Sequence, residues 1–225
     1  MIQKIKIVYF AYLLPNKWHD VIIEQLDSLK KLDLYNIASN IYMSVVSDDV
    51  ELNKLKVLLS EKYNKIELVN IFKENVYEYP GIKTLYEISE EDTLILYFHS
   101  KGVTSNLHRY RQCLFKYTVE NYVEIIKEFN ENEKLNIAGI IPHVTGFVYY
   151  NFFWVKNDYV RKYCIAPNVE KNRYNWEVWL GNNKIMPITY SPIIKYDQVG
   201  NQFPVFTNNC KTAENIINKL INEIN

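Results

Sequence analysis

Four short apolar segments in the first half of the chain are each separated by a stretch of helical periodicity, and this alternation is the strongest constraint on the fold. Ile5–Leu14 (IKIVYFAYLL) stops at Pro15-Asn16, and Asn40–Ser47, Lys65–Phe72 and Thr93–Phe98 repeat the pattern. Between them, Trp18, Ile22, Leu26, Leu29 and Leu32 recur at helical spacing. Leu52, Leu55, Leu58 and Leu59 do the same after Asp48-Asp49, and Ile82, Leu85 and Tyr86 follow Pro80. Strands of this length and composition, joined through helices by short connections, predict βαβ units and a mostly parallel sheet. Parallel strands need crossovers, and such sheets take ligands at the carboxyl ends of their strands.

The second half differs. The spacing predicts a long helix over about 107–130, short strands near 136–141 and 148–155, and helices near 157–164 and 173–180. An extended stretch over 185–196 and a closing amphipathic helix over 212–224 complete the pattern. No repeat, low-complexity tract or linker interrupts the 225 residues. One α/β domain is expected, with residues 1–106 as a ligand-binding half and 107–225 as an aromatic-rich second half.

Composition excludes several classes of function. Lys plus Arg and Asp plus Glu are 26 each, so the formal charge is zero, which argues against a partner held by broad phosphate neutralisation. Only six glycines occur, and neither G-x-G-x-x-G nor G-x-x-x-x-G-K-[ST] is present, so the two glycine-built phosphate cradles are missing. Nineteen tyrosines, ten phenylalanines and four tryptophans supply stacking surfaces instead. The three cysteines, Cys113, Cys164 and Cys210, form no C-x-x-C pair and fit a reducing compartment. The first residues lack a signal-peptide pattern, and no apolar run approaches the roughly 20 residues a membrane span needs, so a cytoplasmic location is expected.

Chemistry concentrates where the fourth strand ends, at Tyr97-Phe98-His99-Ser100-Lys101-Gly102. At a ligand-facing sheet edge Lys101 could neutralise an anion, Ser100 could hydrogen-bond it, and His99 could donate a hydrogen bond or bind a metal. A solvated strand end is the plain alternative. Tyr9 to Tyr12 end the first strand, where a ring could stack on a base, although buried strand aromatics are common. Asp48 and Asp49 follow the second strand, where a carboxylate could reach a ribose hydroxyl or serve as a helix cap. His143, in the loop Pro142–Gly146, could ligate a metal or touch a second substrate.

Taken with these residues, the strand followed by His99-Ser100-Lys101-Gly102 resembles the H-[ST]-K-G signature of small glycosyltransferases of bacterial polysaccharide loci and large algal and amoebal viruses. Other segments match in the same order. Trp18…Gln25…Leu29…Leu32-Asp33-Leu34-Tyr35 is similar to the family's first helix. Arg111, Phe115-Lys116-Tyr117 and Glu120-Asn121-Tyr122 are similar to its "WR…YF…EN" helix, with Tyr110 in the tryptophan's place. Asn151-Phe152-Phe153-Trp154 and Arg173-Tyr174-Asn175-Trp176-Glu177 resemble its "GNFWWA" strand and "R…AE.W" helix. The match spans about residues 5–180. It departs at Tyr150, where the family usually has glycine.

The resemblance implies a GT-A-like fold and transfer of a sugar from a nucleotide-diphosphate donor to a glycan hydroxyl. It places His99, Ser100, Lys101, Tyr9, Asp48, Asp49 and Arg111 at the donor, and His143, Asn151, Trp154 and Trp176 at the acceptor, with the tryptophans as a sugar-stacking wall or as core. Glu177 is the expected general base, at the start of a helix. Many such enzymes use an Asp-x-Asp to hold Mg2+ or Mn2+; this chain has none, so the metal is left open and His99 with Lys101 could supply fixed positive charge. The missing Asp-x-Asp also motivates a non-catalytic carbohydrate- or nucleotide-binding module. A third reading, single-stranded nucleic acid on Lys101, His108, Arg109, Arg111 and Lys116 interleaved with Tyr110, Phe115 and Tyr117, is opposed by Glu120, Glu124 and Glu128 on the same helix and by the neutral overall charge.

Overall fold

The computed structural model describes residues 4–88, 92–104, 107–143, 145–170, 172–183, 185–193 and 210–224. The first half alternates as its sequence predicts: β1 (Lys4–Tyr12), α1 (Trp18–Lys31), the one-turn α2 (Leu34–Ile37), β2 (Asn40–Val46), α3 (Asp49–Lys62), β3 (Ile66–Phe72), α4 (Tyr79–Glu87) and β4 (Thr93–His99). The second half runs α5 (His108–Phe115), α6 (Tyr122–Glu131), β5 (Leu135–Gly139), β6 (Phe153–Lys156), α7 (Asn157–Tyr163), α8 (Arg173–Glu177), β7 (Ile188–Tyr190) and α9 (Cys210–Glu223). Among the described residues no helix is long and apolar enough to cross a membrane.

These strands form one sheet in the order β3-β2-β1-β4-β6-β5-β7. β1 to β4 are parallel, β6 is antiparallel to both β4 and β5, and β7 is parallel to β5. Both faces are covered, so the strand alternation sorts residues between two cores. Ile7, Tyr9, Ala11, Leu94, Leu96 and Phe98 pack towards α1, α3, α5 and α9. Val8, Phe10, Ile95 and Tyr97 pack towards α4, α7 and α8. The chain is therefore a three-layer α/β structure with a mostly parallel sheet.

Local chemistry fixes the elements nearest the functional edge. Asp48 caps α3 by accepting from Glu51 N at 2.8 Å. Pro80 lies in the first turn of α4, where its lacking N–H leaves no bond unmade. Asn70 forms a bulge in β3 at φ +47°, and its amide donates to Thr84 Oγ1 at 2.8 Å. Thr84 in turn lies 2.6 Å from Ser44 Oγ, so a buried polar chain ties α4 to β2 and β3.

Three expectations change in the second half. The predicted 107–130 helix is broken by a π turn over Lys116–Glu120, where the Thr118 carbonyl accepts from Trp154 Nε1 at 2.8 Å. The predicted strand over 148–155 begins only at Phe153, because Tyr149–Asn151 forms a tight turn with Tyr150 at φ +68° and Asn151 at φ +52°. The 173–180 helix is α8 followed by a separate turn at Trp179–Gly181. Of the extended stretch over 185–196, Ile188–Tyr190 is strand and residues 194–196 lie outside the described residues.

Gly81 sets how closely α4 meets the sheet: a Cβ there would stand 2.7 Å from Phe10 Cβ and 2.8 Å from Tyr97 Oη. The Phe10 Cβ is fixed to β1 and cannot yield. Gly81→Ala should therefore lower stability by about 1–3 kcal/mol despite alanine's better helix propensity. A lower urea midpoint with an unchanged slope would carry this; an unchanged or higher midpoint would refute the packing account.

Candidate active site

The order β3-β2-β1-β4 places a topological switch between β1 and β4, since the chain leaves β1 towards β2 and later returns to β1's other side. At the carboxyl edge there, a cleft of about 240 Å³ is lined by Tyr12 from β1, His99 to Gly102 from β4, Glu78 before α4, and Arg173 from α8. β6 runs against β4, so the turn at Tyr149–Asn151 reaches the same edge.

The end of β4 is stitched to β1. Ser100 N donates to Phe10 O at 3.0 Å, and Tyr12 N donates to Ser100 Oγ at 3.0 Å. The Ser100 hydroxyl oxygen is thus engaged by the backbone, and its hydrogen is what it can offer a ligand. Gly102 then turns the chain at φ +87°, a conformation in which glycine is unstrained.

His99 is buried, and its Nε2 hydrogen donates to Tyr150 O at 3.0 Å, which fixes the tautomer when the ring is neutral. Burial holds its pKa below the ordinary histidine range; the Glu78 charge opposes this and Lys101 reinforces it. His99 is consequently a neutral donor near pH 7. Lys101 places its ammonium 5.1 Å over the Tyr150 ring. Burial lowers its pKa from the usual lysine range, the Glu78 charge opposes that, Arg173 adds to it and Glu177 opposes it. Arg173 Nε donates to Glu177 Oε1 at 2.8 Å. Glu177 closes α8 instead of opening a helix, so the first-turn position expected of it is corrected; it stands at the cleft through Arg173 and Lys101.

Other expected donor residues lie elsewhere. Tyr9 is wholly buried, stacked on Phe98 at 4.6 Å with its hydroxyl donating to Gln25 Oε1 at 2.7 Å, so no base can reach it. Tyr12, at the true end of β1, lines the cleft, as does Tyr77 from the loop before α4. Asp48 is spent on the α3 cap, and Asp49 pairs with Lys73 at 2.7 Å on the surface. Arg111 is 4 % exposed and lies beneath the cleft. It donates to Lys101 O at 2.9 Å and to Glu24 Oε2 at 2.7 Å, so it holds up the Lys101 turn from behind.

The expected acceptor wall also changes. Trp154 is fully buried and bonded to Thr118 O, and Trp176 is 3 % exposed with its ring 5.2 Å from that of Tyr79. Neither can present a face to a sugar; both belong to the cores. His143 stacks on Phe147 at 4.3 Å and its Nδ1 accepts from Thr145 N at 3.2 Å, in the loop after β5. Asn151 is buried beside the cleft, donating to Glu78 Oε2 and to Trp176 O at 3.2 Å. Glu78 was not singled out by its sequence, because a glutamate just before Tyr79-Pro80 reads as an ordinary helix start.

As for a metal, no group of three or more His, Cys, Asp or Glu side chains among the described residues is placed to hold one. The cleft pairs one buried carboxylate and a neutral imidazole with an ammonium, which does not fit the oxygen-rich shell that Mg2+ or Mn2+ prefers.

No family model matches this chain, and no curated protein matches it. Among solved structures, a 4-diphosphocytidyl-2C-methyl-D-erythritol synthase overlaps with 98 % of this chain and 100 % of its own, at 8 % identity and a TM-score of 0.47. The synthase of that name from Anaerococcus prevotii DSM 20548 overlaps with 99 % and 96 %, at 8 % identity and 0.43. A protein described as a nucleotide-diphospho-sugar transferase from Desulfovibrio desulfuricans G20 overlaps with 97 % of each chain, at 12 % identity and 0.41. At that degree of overlap and identity these likenesses neither equate the folds nor transfer a substrate.

Proposed function

We propose that this chain is a GT-A-like glycosyltransferase that moves a sugar from a nucleotide-diphosphate donor to a glycan hydroxyl. The observation that carries the reading is the cleft at the β1/β4 switch, walled by the strand end His99-Ser100-Lys101-Gly102 with the Lys101 ammonium and Arg173 at its rim. Open α/β sheets bind nucleotides at such a switch, and two side-chain cations there match the charge of a diphosphate.

In this reading Tyr12 stacks on the donor's base or ribose, and Lys101 and Arg173 meet the diphosphate. Glu177 takes the proton from the acceptor hydroxyl as that oxygen bonds to the anomeric carbon. The bond from that carbon to the diphosphate oxygen breaks with its electron pair leaving on the diphosphate, and the two cations stabilise that charge. Arg173 is bonded to Glu177; a diphosphate competes for the guanidinium and frees the carboxylate. Side-chain cations carry the leaving charge, so no metal step is required.

A second reading keeps the binding and drops the chemistry. The 2.8 Å Arg173–Glu177 pair favours it, because the guanidinium occupies the carboxylate oxygen that would take the proton. Donor or glycan binding without turnover separates this module from the enzyme.

Three outcomes are expected. A panel of UDP-, GDP- and dTDP-sugars should yield one donor whose nucleoside diphosphate is released, equally with a chelator present; silence across the panel, in both release and thermal shift, rules the enzyme out. Glu177→Gln should cut turnover by about 10²–10⁴-fold while leaving nucleoside-diphosphate affinity nearly unchanged; equal loss of binding would make Glu177 structural. Because the Lys101 pKa is lowered, its charge is lost as pH rises, below the pH at which a solvated lysine titrates. Nucleoside-diphosphate affinity should fall along that alkaline limb, and Lys101→Arg should remove it, since guanidinium does not titrate there. A limb that persists in the arginine variant would assign it to another group.

A further inference from the structure

One carboxylate in the cleft wall has no part in the transfer step. Glu78 is 9 % exposed and precedes α4, yet its side chain does not cap the helix. It turns inward, with Oε2 accepting from the Asn151 amide and Oε1 3.7 Å from His99 Nε2. The Nε2 hydrogen already goes to Tyr150 O, so the 3.7 Å approach is no hydrogen bond. Through Asn151, which also donates to the Trp176 carbonyl at 3.2 Å, the same carboxylate connects the start of α4, the Tyr149–Asn151 turn and α8.

A buried carboxylate needs an opposite charge as well as hydrogen bonds. Lys101 lines the same cleft as Glu78, with its ammonium above the Tyr150 ring, and is the cation on which the Glu78 charge acts. The other charged groups acting on Lys101 are Arg173, which repels its ammonium, and Glu177, which attracts it from the cleft rim. His99 is neutral. Glu78 thus bonds to the turn that carries Tyr150 and shares a cleft with the ammonium that rests on Tyr150.

We propose that Glu78 is a positioning residue: it locks the Tyr150–Asn151 turn through the Asn151 amide and stands as counter-charge to the Lys101 ammonium in the shared cleft, where an anionic ligand meets it. The role deepens the transferase reading and shares its site, but its test needs no nucleotide sugar. A chain that turns over no donor can still show it.

The experiment is pH-dependent acetylation of the whole chain with acetic anhydride, with Lys101 read by peptide mass spectrometry and exposed Lys127 as internal reference. Glu78→Gln keeps the reach and the carbonyl acceptor for Asn151 but removes the charge. It should move the midpoint of the Lys101 labelling curve to lower pH, with labelling roughly tenfold faster at a fixed pH below that midpoint, while Lys127 is unchanged. Labelling that rises equally at every pH, with its midpoint in place, would mean loosened packing and would overturn the proposal, as would no change. Should the glutamine variant fail to fold, Glu78→Asp keeps the charge but withdraws it, and a smaller displacement in the same direction is expected. An unmoved midpoint there also overturns it.

Discussion

Everything at the functional edge depends on the pairing of β1 with β4, which continues beyond the strands. Ser100 N donates to Phe10 O, and Tyr12 N to Ser100 Oγ, each at 3.0 Å. Both faces of these strands are buried, so a slip by one residue would exchange Tyr9 with Phe10 between two differently shaped cores. The register is therefore stiff up to its last residue, and the turn at Lys101-Gly102 starts from a fixed point. Arg111 secures that turn from below through the Lys101 carbonyl. An arginine expected to touch the ligand instead determines where the ligand-facing lysine begins.

Against this rigid edge stands a strained one. Tyr150 and Asn151 are consecutive left-handed residues, each carrying about 1–2 kcal/mol of local strain. The compensation is specific: Tyr150 O receives the His99 hydrogen bond, and the Asn151 amide bonds to Glu78 and to the Trp176 carbonyl. Glycine would relax the backbone at position 150 but would remove the ring beneath the Lys101 ammonium. The tyrosine, which is where this sequence departs from the pattern it resembles, exchanges backbone ease for a cation–π contact in a desolvated place.

What the sequence makes legible follows from how local each cause is. β1, β2 and β4 are readable because burial on both faces makes them largely apolar runs, and the edge strand β3 by its Ile, Val and Phe content; the α3 start is readable because Asp48 caps it. His99-Ser100-Lys101 stands out because an apolar strand ends abruptly in polar residues. The π turn at Lys116–Glu120 is not readable, since its reason is a tertiary partner, the Trp154 indole bonding to Thr118 O. The Tyr149–Asn151 turn hides inside an apolar stretch that reads as strand. Trp154 and Trp176 show the limit most clearly: a sugar platform and a core residue have the same side chain, and only burial separates them. Glu78 is invisible for the opposite reason, because its local setting already has an ordinary explanation.

The shortage of glycine now acquires an electrostatic consequence. A glycine-rich loop holds phosphate with backbone N–H groups, which neither titrate nor need neutralising when the site is empty. This cleft has Lys101 and Arg173 instead; Arg173 is paired with Glu177, and Glu78 lines the cleft with Lys101. Two cations and two carboxylates leave the cleft close to neutral, so in the proposed reading an anion competes with those carboxylates. Affinity in such a site is a difference between two sets of ion pairs, so it responds to pH and salt far more than a backbone cradle would. A binding site made from side chains is adjustable through them, and on the proposed reading the carboxylates acting on Lys101 set how well the cleft receives an anion.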